Sequence, residues 1–352
     1  MVSVTSLKNG MCIAEDVLND KGMLIVAKDT IVTENIISRL NLYNIEEVEV
    51  AQKVTPTKGG TAAIKKTEEF KQYHKETEKV KDSLNNSFNK ILNDASDENE
   101  IQDILNMSVH MFDKNKNNSN LLDILYCMQE FSDTTYLHCI NVSMIAGLLG
   151  KWLSWSEEDV NMLVMCGMFH DIGKLTIPDK VLHKPGKLTD TEYKIMKQHT
   201  TLGFNKLKNL ESLPPEVKRT AFLHHERNDG TGYPLGIRGE KIDKFSKIIA
   251  IADVYDALTA NRVYRDAMCP FDVIAILEKE GLGMYETRYI MTFLHKVLYS
   301  FLDKKVCLNN GMVAQIKDIN PEARSKPVVV MESGRIIDLS QYDEIKITSI
   351  ME

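Results

Sequence analysis

The sequence predicts a mainly α protein, an all-helical domain with a small β-rich unit at each end. Three observations predict it. From Leu121 to about Ser300 the apolar residues recur at helical spacing, with no convincing strand. Residues 1–55 instead break into short apolar runs at the turn-forming pairs Asn9-Gly10 and Asn19-Asp20-Lys21-Gly22. Residues 301–352 change character again: KVCLNNGMVAQI turns at Asn309-Asn310-Gly311, and PVVVM, GRIIDL and EIKITSI read as short strands.

Within residues 1–55 a short helix is expected from Thr33-Glu34, carrying Ile36, Ile37 and Leu40, after which EEVEV closes the unit as a strand. Residues 56–130 form a linker and helical segment. Pro56 to Gly60 is linker by composition, and Lys65 to Leu92 carries a narrow apolar seam of Phe70, Tyr73, Val80, Leu84 and Ile91, interrupted by Thr77 and Ser87. That seam could pair in a homodimer; with only about three heptads, packing on its own domain is the favoured expectation. Asp97 and Glu100 have capping-box spacing and start a second helix, and KNKNNSN (Lys114 to Asn120) reads as a loop. Residues 131–300 are the helical domain.

Bulk properties narrow the classes. The chain has 352 residues, a net charge of -7 and 43% hydrophobic residues, an ordinary soluble composition. The acidic balance argues against a long nucleic acid as partner but not against a small phosphorylated ligand. No apolar run is long enough to span a membrane, and the first ten residues lack a secretory pattern. Six scattered cysteines without a C-x-x-C pair suit reduced thiols, so the expected location is cytoplasmic. Cys139 and Cys166 read as core residues.

Six of the nine histidines fall between positions 138 and 225. Thr189 and Glu192 form a capping box, and Ile195 and Met196 put His199 on the inward face of the helix that follows. His170 and Asp171 end the apolar run MLVMCGMF, with Gly173 as the expected helix C-cap. His224 and His225 end a helix opened near Pro214-Pro215. Asp253 lies among Ile248, Ile249, Ile251 and Val254, and a buried carboxylate there must be paired or bind a metal. Five histidines and two aspartates without thiolate pairs suit Fe, Mn, Co, Ni or Zn. They exceed what one tetrahedral ion needs, so two ions sharing an Asp fit the count better.

The order His138, His170-Asp171, Asp253 resembles the HD phosphohydrolase superfamily. With HDIGK, IPDKVLHKPGKLT, HHERNDGTGYP and IADVYDALTANRVYR in sequence, residues 131–270 resemble an HD-GYP domain, the family of cyclic di-GMP phosphodiesterases. The resemblance implies one metal on His138, His170, Asp171 and Asp253, and a second on His199, His224 and His225, with Asp171 bridging. It implies a hydroxide between the ions as nucleophile, with iron or manganese the first choice. Lys174 matches the family's phosphate-contacting lysine, and Arg262 and Arg265 match substrate-contacting positions. No chemistry is read for the loop Gly232-Tyr233-Pro234; the resemblance implies protein contacts there, with Tyr233 offering an aromatic face.

Two departures are visible. The position that could hold a third metal is Thr134, with Asp133 about 100° around the helix, so a dinuclear site is expected. The usual R-P-Y-R reads Arg262-Val263-Tyr264-Arg265. His183 and His295 match no ligand position and read as structural. The implied activity is hydrolysis of cyclic di-GMP to pGpG, and on to GMP in the further case. Another cyclic dinucleotide as substrate, or a non-catalytic cyclic di-GMP receptor, are the competing readings.

Overall fold

The structure is a computed structural model that describes residues 1–51, 64–128, 134–260 and 267–351. Arg262 and Arg265 lie outside the described residues, as does Asp133. Two compact units emerge, Met1–Ala63 with Leu298–Glu352, and Ile64–Val297.

In the first unit, β1 (Val2–Ser3) pairs antiparallel with β4 (Glu47–Val48), and β2 (Val17–Leu18) with β3 (Leu24–Val26). The β2–β3 turn is held by the Asn19 side chain, which accepts from Lys21 N at 3.0 Å and Met23 N at 2.9 Å. Helix α1 (Glu34–Leu42) starts where Thr33 accepts from Ile36 N, and it buries Leu40 beside Ile13 and Val32. Strands β5 (Lys305–Leu308), β6 (Val313–Asp318), β7 (Val328–Met331), β8 (Ile336–Asp338) and β9 (Ile347–Ile350) form an antiparallel sheet ordered β8-β7-β6-β5-β9.

The two terminal β regions, separate in the sequence reading, share this unit. Asn310 Nδ2 donates to Gly10 O at 3.1 Å, and the Arg335 guanidinium donates to Lys28 O and Thr30 Oγ1. The N-terminal region nonetheless has a core of its own, in which Val4, Ile13, Ile25, Val32, Leu40 and Val48 are buried together.

The second unit is helical. Helix α2 (Glu68–Leu92) is capped by Thr67 and buries Phe70, Tyr73, Val80, Leu84 and Ile91, the seam read from sequence. The seam is filled from within the unit: Phe88 packs on Phe169 at 5.4 Å and on Tyr136 at 5.9 Å. Thr77 does not interrupt it, because its hydroxyl donates to Tyr73 O at 2.9 Å. Helix α3 (Glu98–Asn115) begins at the cap Asp97 and takes in Lys114 and Asn115, two residues further than the expected loop. Buried Asn115 extends it by donating to Met111 O at 2.8 Å.

After α4 (Leu121–Met128), helices α5 (Thr135–Trp152) and α6 (Glu157–Phe169) form the centre of the unit. They touch backbone to backbone, since a Cβ on Gly167 would lie 2.4 Å from Ser143 Cα. Around them run α7 (Asp179–Leu182), α8 (Asp190–Lys197), α9 (His199–Leu207), α10 (Pro215–Leu223), α11 (Lys244–Thr259), α12 (Pro270–Met284) and α13 (Thr287–Tyr299). No strand occurs among the described residues of this unit. No helix of the described residues is long and apolar enough to cross a membrane.

Candidate metal centre

Each candidate ligand sits where a helix begins, ends or is buried all round. His138 lies in the first turn of α5, and Thr134 caps that helix by accepting from Leu137 N at 3.3 Å. His170 and Asp171 follow α6, after which the chain tightens into a 3-10 turn over Ile172–Thr176. The capping box at Thr189 and Glu192 opens α8 as expected, but the helix breaks at Gln198 and His199 starts α9. His224 and His225 follow α10, and Asp253 is buried in α11.

Gly173 is not a helix C-cap. A Cβ there would lie 1.9 Å from His199 O and 2.6 Å from Gly203 N, so the glycine lets the 3-10 turn lie against the start of α9. Asp171 and His199 are brought together across that contact.

The seven side chains gather into two groups that share Asp171. One is His138, His170, Asp171 and Asp253; the other is Asp171, His199, His224 and His225, with donor atoms in each group within 4.8 Å of one another. Asp171 is fully buried. Its Oδ2 lies 3.3 Å from His138 Nε2 and 3.4 Å from His170 Nε2, whereas Oδ1 lies 3.4 Å from His199 Nε2 and 3.6 Å from His224 Nε2. The Lys174 ammonium pairs with Oδ2.

The outer ring nitrogens fix which nitrogen faces inward. His170 Nδ1 donates to Gly167 O at 2.7 Å, His199 Nδ1 to Met196 O at 2.7 Å and His224 Nδ1 to Thr220 O at 3.1 Å. His138 Nδ1 is 2.6 Å from Asp256 Oδ2, and Asn141 donates to the other oxygen of that carboxylate at 3.0 Å. His170, His199 and His224 therefore each turn a lone-pair-bearing Nε2 toward the centre, the usual support of metal-ligating histidines, while Asp256 orients the His138 ring. His199 and His224 place two such nitrogens 3.4 Å apart. Among the described residues, His170 Nε2 and Asp171 Oδ1 are buried without a hydrogen-bond partner. Converging lone pairs repel in a low-dielectric interior, and a cation resolves both the repulsion and the missing partners. The donor set fits divalent metal.

Protonation follows the same logic. Burial pushes the His170, His199 and His225 imidazoles down, His199 to about 3, so they stay neutral and able to ligate. Against its burial, the Lys174 cation and neighbouring imidazoles hold the Asp171 carboxyl well below the usual carboxylate range. Burial also lowers His138, but its contacts with Asp171, Asp253 and Asp256 outweigh that and raise it to about 10.

The signs predict a stability maximum for chelator-treated protein. The three depressed imidazoles contribute stability above 6.5, which is lost as pH falls toward the folded value of His199, about 3. Raised His138 contributes stability below 6.5, which is lost as pH rises toward 10. Urea midpoints measured across this range should peak near pH 6.5, where the two slopes meet; a monotonic rise to alkaline pH would contradict this assignment.

Two carboxylates were missed from sequence. Asp256, 1% exposed, orients His138; its signal was the i,i+3 spacing from Asp253 on an apolar helix. Glu226, 3% exposed, accepts from the backbone N of Leu235 at 2.6 Å, Gly236 at 3.1 Å and Ile237 at 3.1 Å. It fastens the loop that carries Gly232, Tyr233 and Pro234. That loop, for which no chemistry was read, packs on the centre: the Tyr233 ring stacks on His225 at 4.6 Å between centroids. Gly232 permits this, because a Cβ would lie 2.5 Å from Arg227 N and Glu226 Cα.

Beside the centre opens a cavity of about 740 Å³, onto which His138, Lys174, His199, His225 and Tyr233 face. His183, read as structural, is exposed and also lines it; His295 is exposed on α13. All six cysteines are free and buried, Cys139 and Cys166 among them.

The family model described as HD domain matches residues 99–287, and the chain belongs to that family. Within it, the sequence is of the HD-GYP kind, with GYP at Gly232-Tyr233-Pro234. It is 40% identical over 154 residues to the cyclic di-GMP phosphodiesterase response regulator RpfG of Xanthomonas campestris, covering 44% of this chain and 41% of that protein. It is 36% identical over 179 residues to a cyclic di-GMP phosphodiesterase of Thermotoga maritima, covering 49% and 48%. A 3'3'-cGAMP-specific phosphodiesterase of Vibrio cholerae is 42% identical over 149 residues, covering 42% and 34%. The chain thus spans about half the length, or less, of these curated relatives. Among solved structures, an HDG"Y"P protein from Bdellovibrio bacteriovorus matches in fold with a TM-score of 0.52 at 14% identity, covering 83% of this chain and 97% of that one.

Proposed function

We propose that this protein is a metal-dependent phosphodiesterase that hydrolyses a cyclic dinucleotide, cyclic di-GMP first, to the linear dinucleotide pGpG, with GMP the product of a further hydrolysis to be tested. The observation that carries the reading is the pair of donor groups sharing buried Asp171 beside a cavity onto which His138, His199 and His225 face. His138, His170, Asp171 and Asp253 would hold one divalent ion, and His199, His224 and His225, with Asp171, a second. Iron or manganese suits these imidazole and carboxylate donors. Bound there, the ions would supply Lewis-acid polarisation of a phosphoryl oxygen and a nucleophile from water at neutral pH. Thr134 is occupied as a helix cap, which supports two ions rather than three.

The chain's own groups do the rest. Lys174, on the cavity wall beside Asp171, offsets charge gathering on the phosphoryl oxygens. Asp256, Gly167, Met196 and Thr220 hold the imidazoles in the ligating tautomer. Tyr233 closes one side of His225 and keeps water from that face. Arg262 and Arg265 are retained as substrate contacts on the sequence resemblance alone. The exposed Leu235 at the edge of the loop is the place where a protein partner would touch it.

Relatives named for cyclic di-GMP and for 3'3'-cGAMP match at 40% and 42% identity, so cGAMP is the second substrate to test. Protein purified without oxygen and loaded with Fe(II) or Mn(II) should convert cyclic di-GMP to linear product, resolved by chromatography. Tight binding of cyclic di-GMP with no product under either metal would replace the enzyme by a receptor.

A further inference from the structure

The mechanism uses one end of the cavity and leaves the other unexplained. We propose that Tyr193 and Lys187 form a distal subsite for the second nucleotide of the substrate. Tyr193 stacks on its purine base, and Lys187 contacts the phosphate that is not cleaved. The proposal rests on the phosphodiesterase reading and names the residues that hold the far half of the ligand.

The charge of the cavity supports this. The chain is acidic overall, at -7, yet no carboxylate lines the cavity among the described residues, while Lys174, Lys184 and Lys187 do. Two of these lysines are engaged: Lys174 with Asp171, and Lys184 with Glu192 at 2.5 Å. Lys187 is exposed, and no hydrogen bond or ion pair engages its ammonium among the described residues. It sits on a loop pinned at both ends, because Glu192 accepts from Lys184 Nζ, from Thr189 N at 2.7 Å and from Thr189 Oγ1 at 2.9 Å. A cation on an anchored loop costs little further ordering when an anion arrives.

The aromatic wall supplies the second half. Tyr193 follows Glu192 in α8 and remains 50% exposed on the cavity. The Lys197 ammonium lies 5.1 Å from the Tyr193 ring centroid and 5.7 Å from that of Tyr233, so both rings flank one cation. Tyr233 in turn stacks on His225, making a wall that runs from the metal centre to Tyr193. A cyclic dinucleotide carries two phosphates and two purines. One phosphate belongs at the metals, which leaves a purine and a phosphate for an aromatic face and a cation at the other end.

The test compares Tyr193→Ala, Tyr193→Phe and Lys187→Gln with the unsubstituted protein. Affinity for a non-hydrolysable phosphorothioate analogue of cyclic di-GMP is measured calorimetrically on the metal-loaded protein, which holds this ligand without cutting it. KM and kcat are measured in the active background, with bis(4-nitrophenyl) phosphate as a small diester that reaches only the metal end. Tyr193→Ala and Lys187→Gln should each weaken binding and raise KM about 10-fold. Values of kcat and of small-diester turnover should stay within about twofold, and Tyr193→Phe should behave as the parent. Unchanged affinity in both variants, or a parallel fall in small-diester turnover, overturns the subsite while leaving the phosphodiesterase in place. Cleavage of the small diester but of no cyclic dinucleotide by the parent overturns the substrate reading, and the subsite with it.

Discussion

Asp171→Ala is expected to lower turnover by a factor on the order of 10³ to 10⁴ and to empty both metal positions together. The reason is geometric. One oxygen of this carboxylate faces His138 and His170, the other faces His199 and His224, at 3.3 to 3.6 Å. Among the described residues, no other side chain belongs to both donor groups. Asp253→Ala, by contrast, removes a donor from one group and should leave the second ion bound. Elemental analysis of the two variants beside a turnover assay separates the cases. An Asp171→Ala protein that kept two ions and a tenth of its activity would refute the shared-carboxylate arrangement.

Gly173→Ala should also be damaging, although glycine touches neither metal nor substrate. The added methyl would lie 1.9 Å from His199 O and 2.6 Å from Gly203 N, both backbone atoms of α9. Neither can yield alone, so α9 must retreat from the 3-10 turn and carry His199 away from Asp171. A stability loss of about 3 kcal/mol is expected from the overpacking. Activity should fall about a hundredfold from misplacement of the ligands. Gly283→Ala is the control: a helical glycine in α12 with nothing within 4 Å of its Cβ position, where alanine should be neutral or stabilising by about 0.5 to 1 kcal/mol. Urea unfolding of both variants decides it, and equal midpoints would overturn the role given to Gly173.

Much of this was legible in the chain because its signals are short-ranged. The caps at Thr33, Asp97 and Thr189 each act within three residues, and each opens a helix in the structure. The seam of α2 was visible in its spacing, and its burial within the unit follows from the bulk of Phe88 and Phe169 meeting there. What stayed hidden depends on distant partners. Asp256 gains its role only opposite His138, 118 positions away, and Gly10 meets Asn310 across 300. The break at Gln198 was hidden for a related reason. Spacing continued through it, but contact with Gly173 requires α9 to start afresh at His199.

The Glu226 clamp has a consequence for how the GYP loop can vary. Its three bonds go to main-chain N–H groups, which every residue but proline offers, so the carboxylate fastens a path and ignores the side chains along it. The loop is thereby divided into an inner letter, Tyr233, that must be read against His225, and an outer text at exposed Leu235 that can be rewritten. Such a surface can acquire a new vocabulary while the chemistry behind it keeps its grammar.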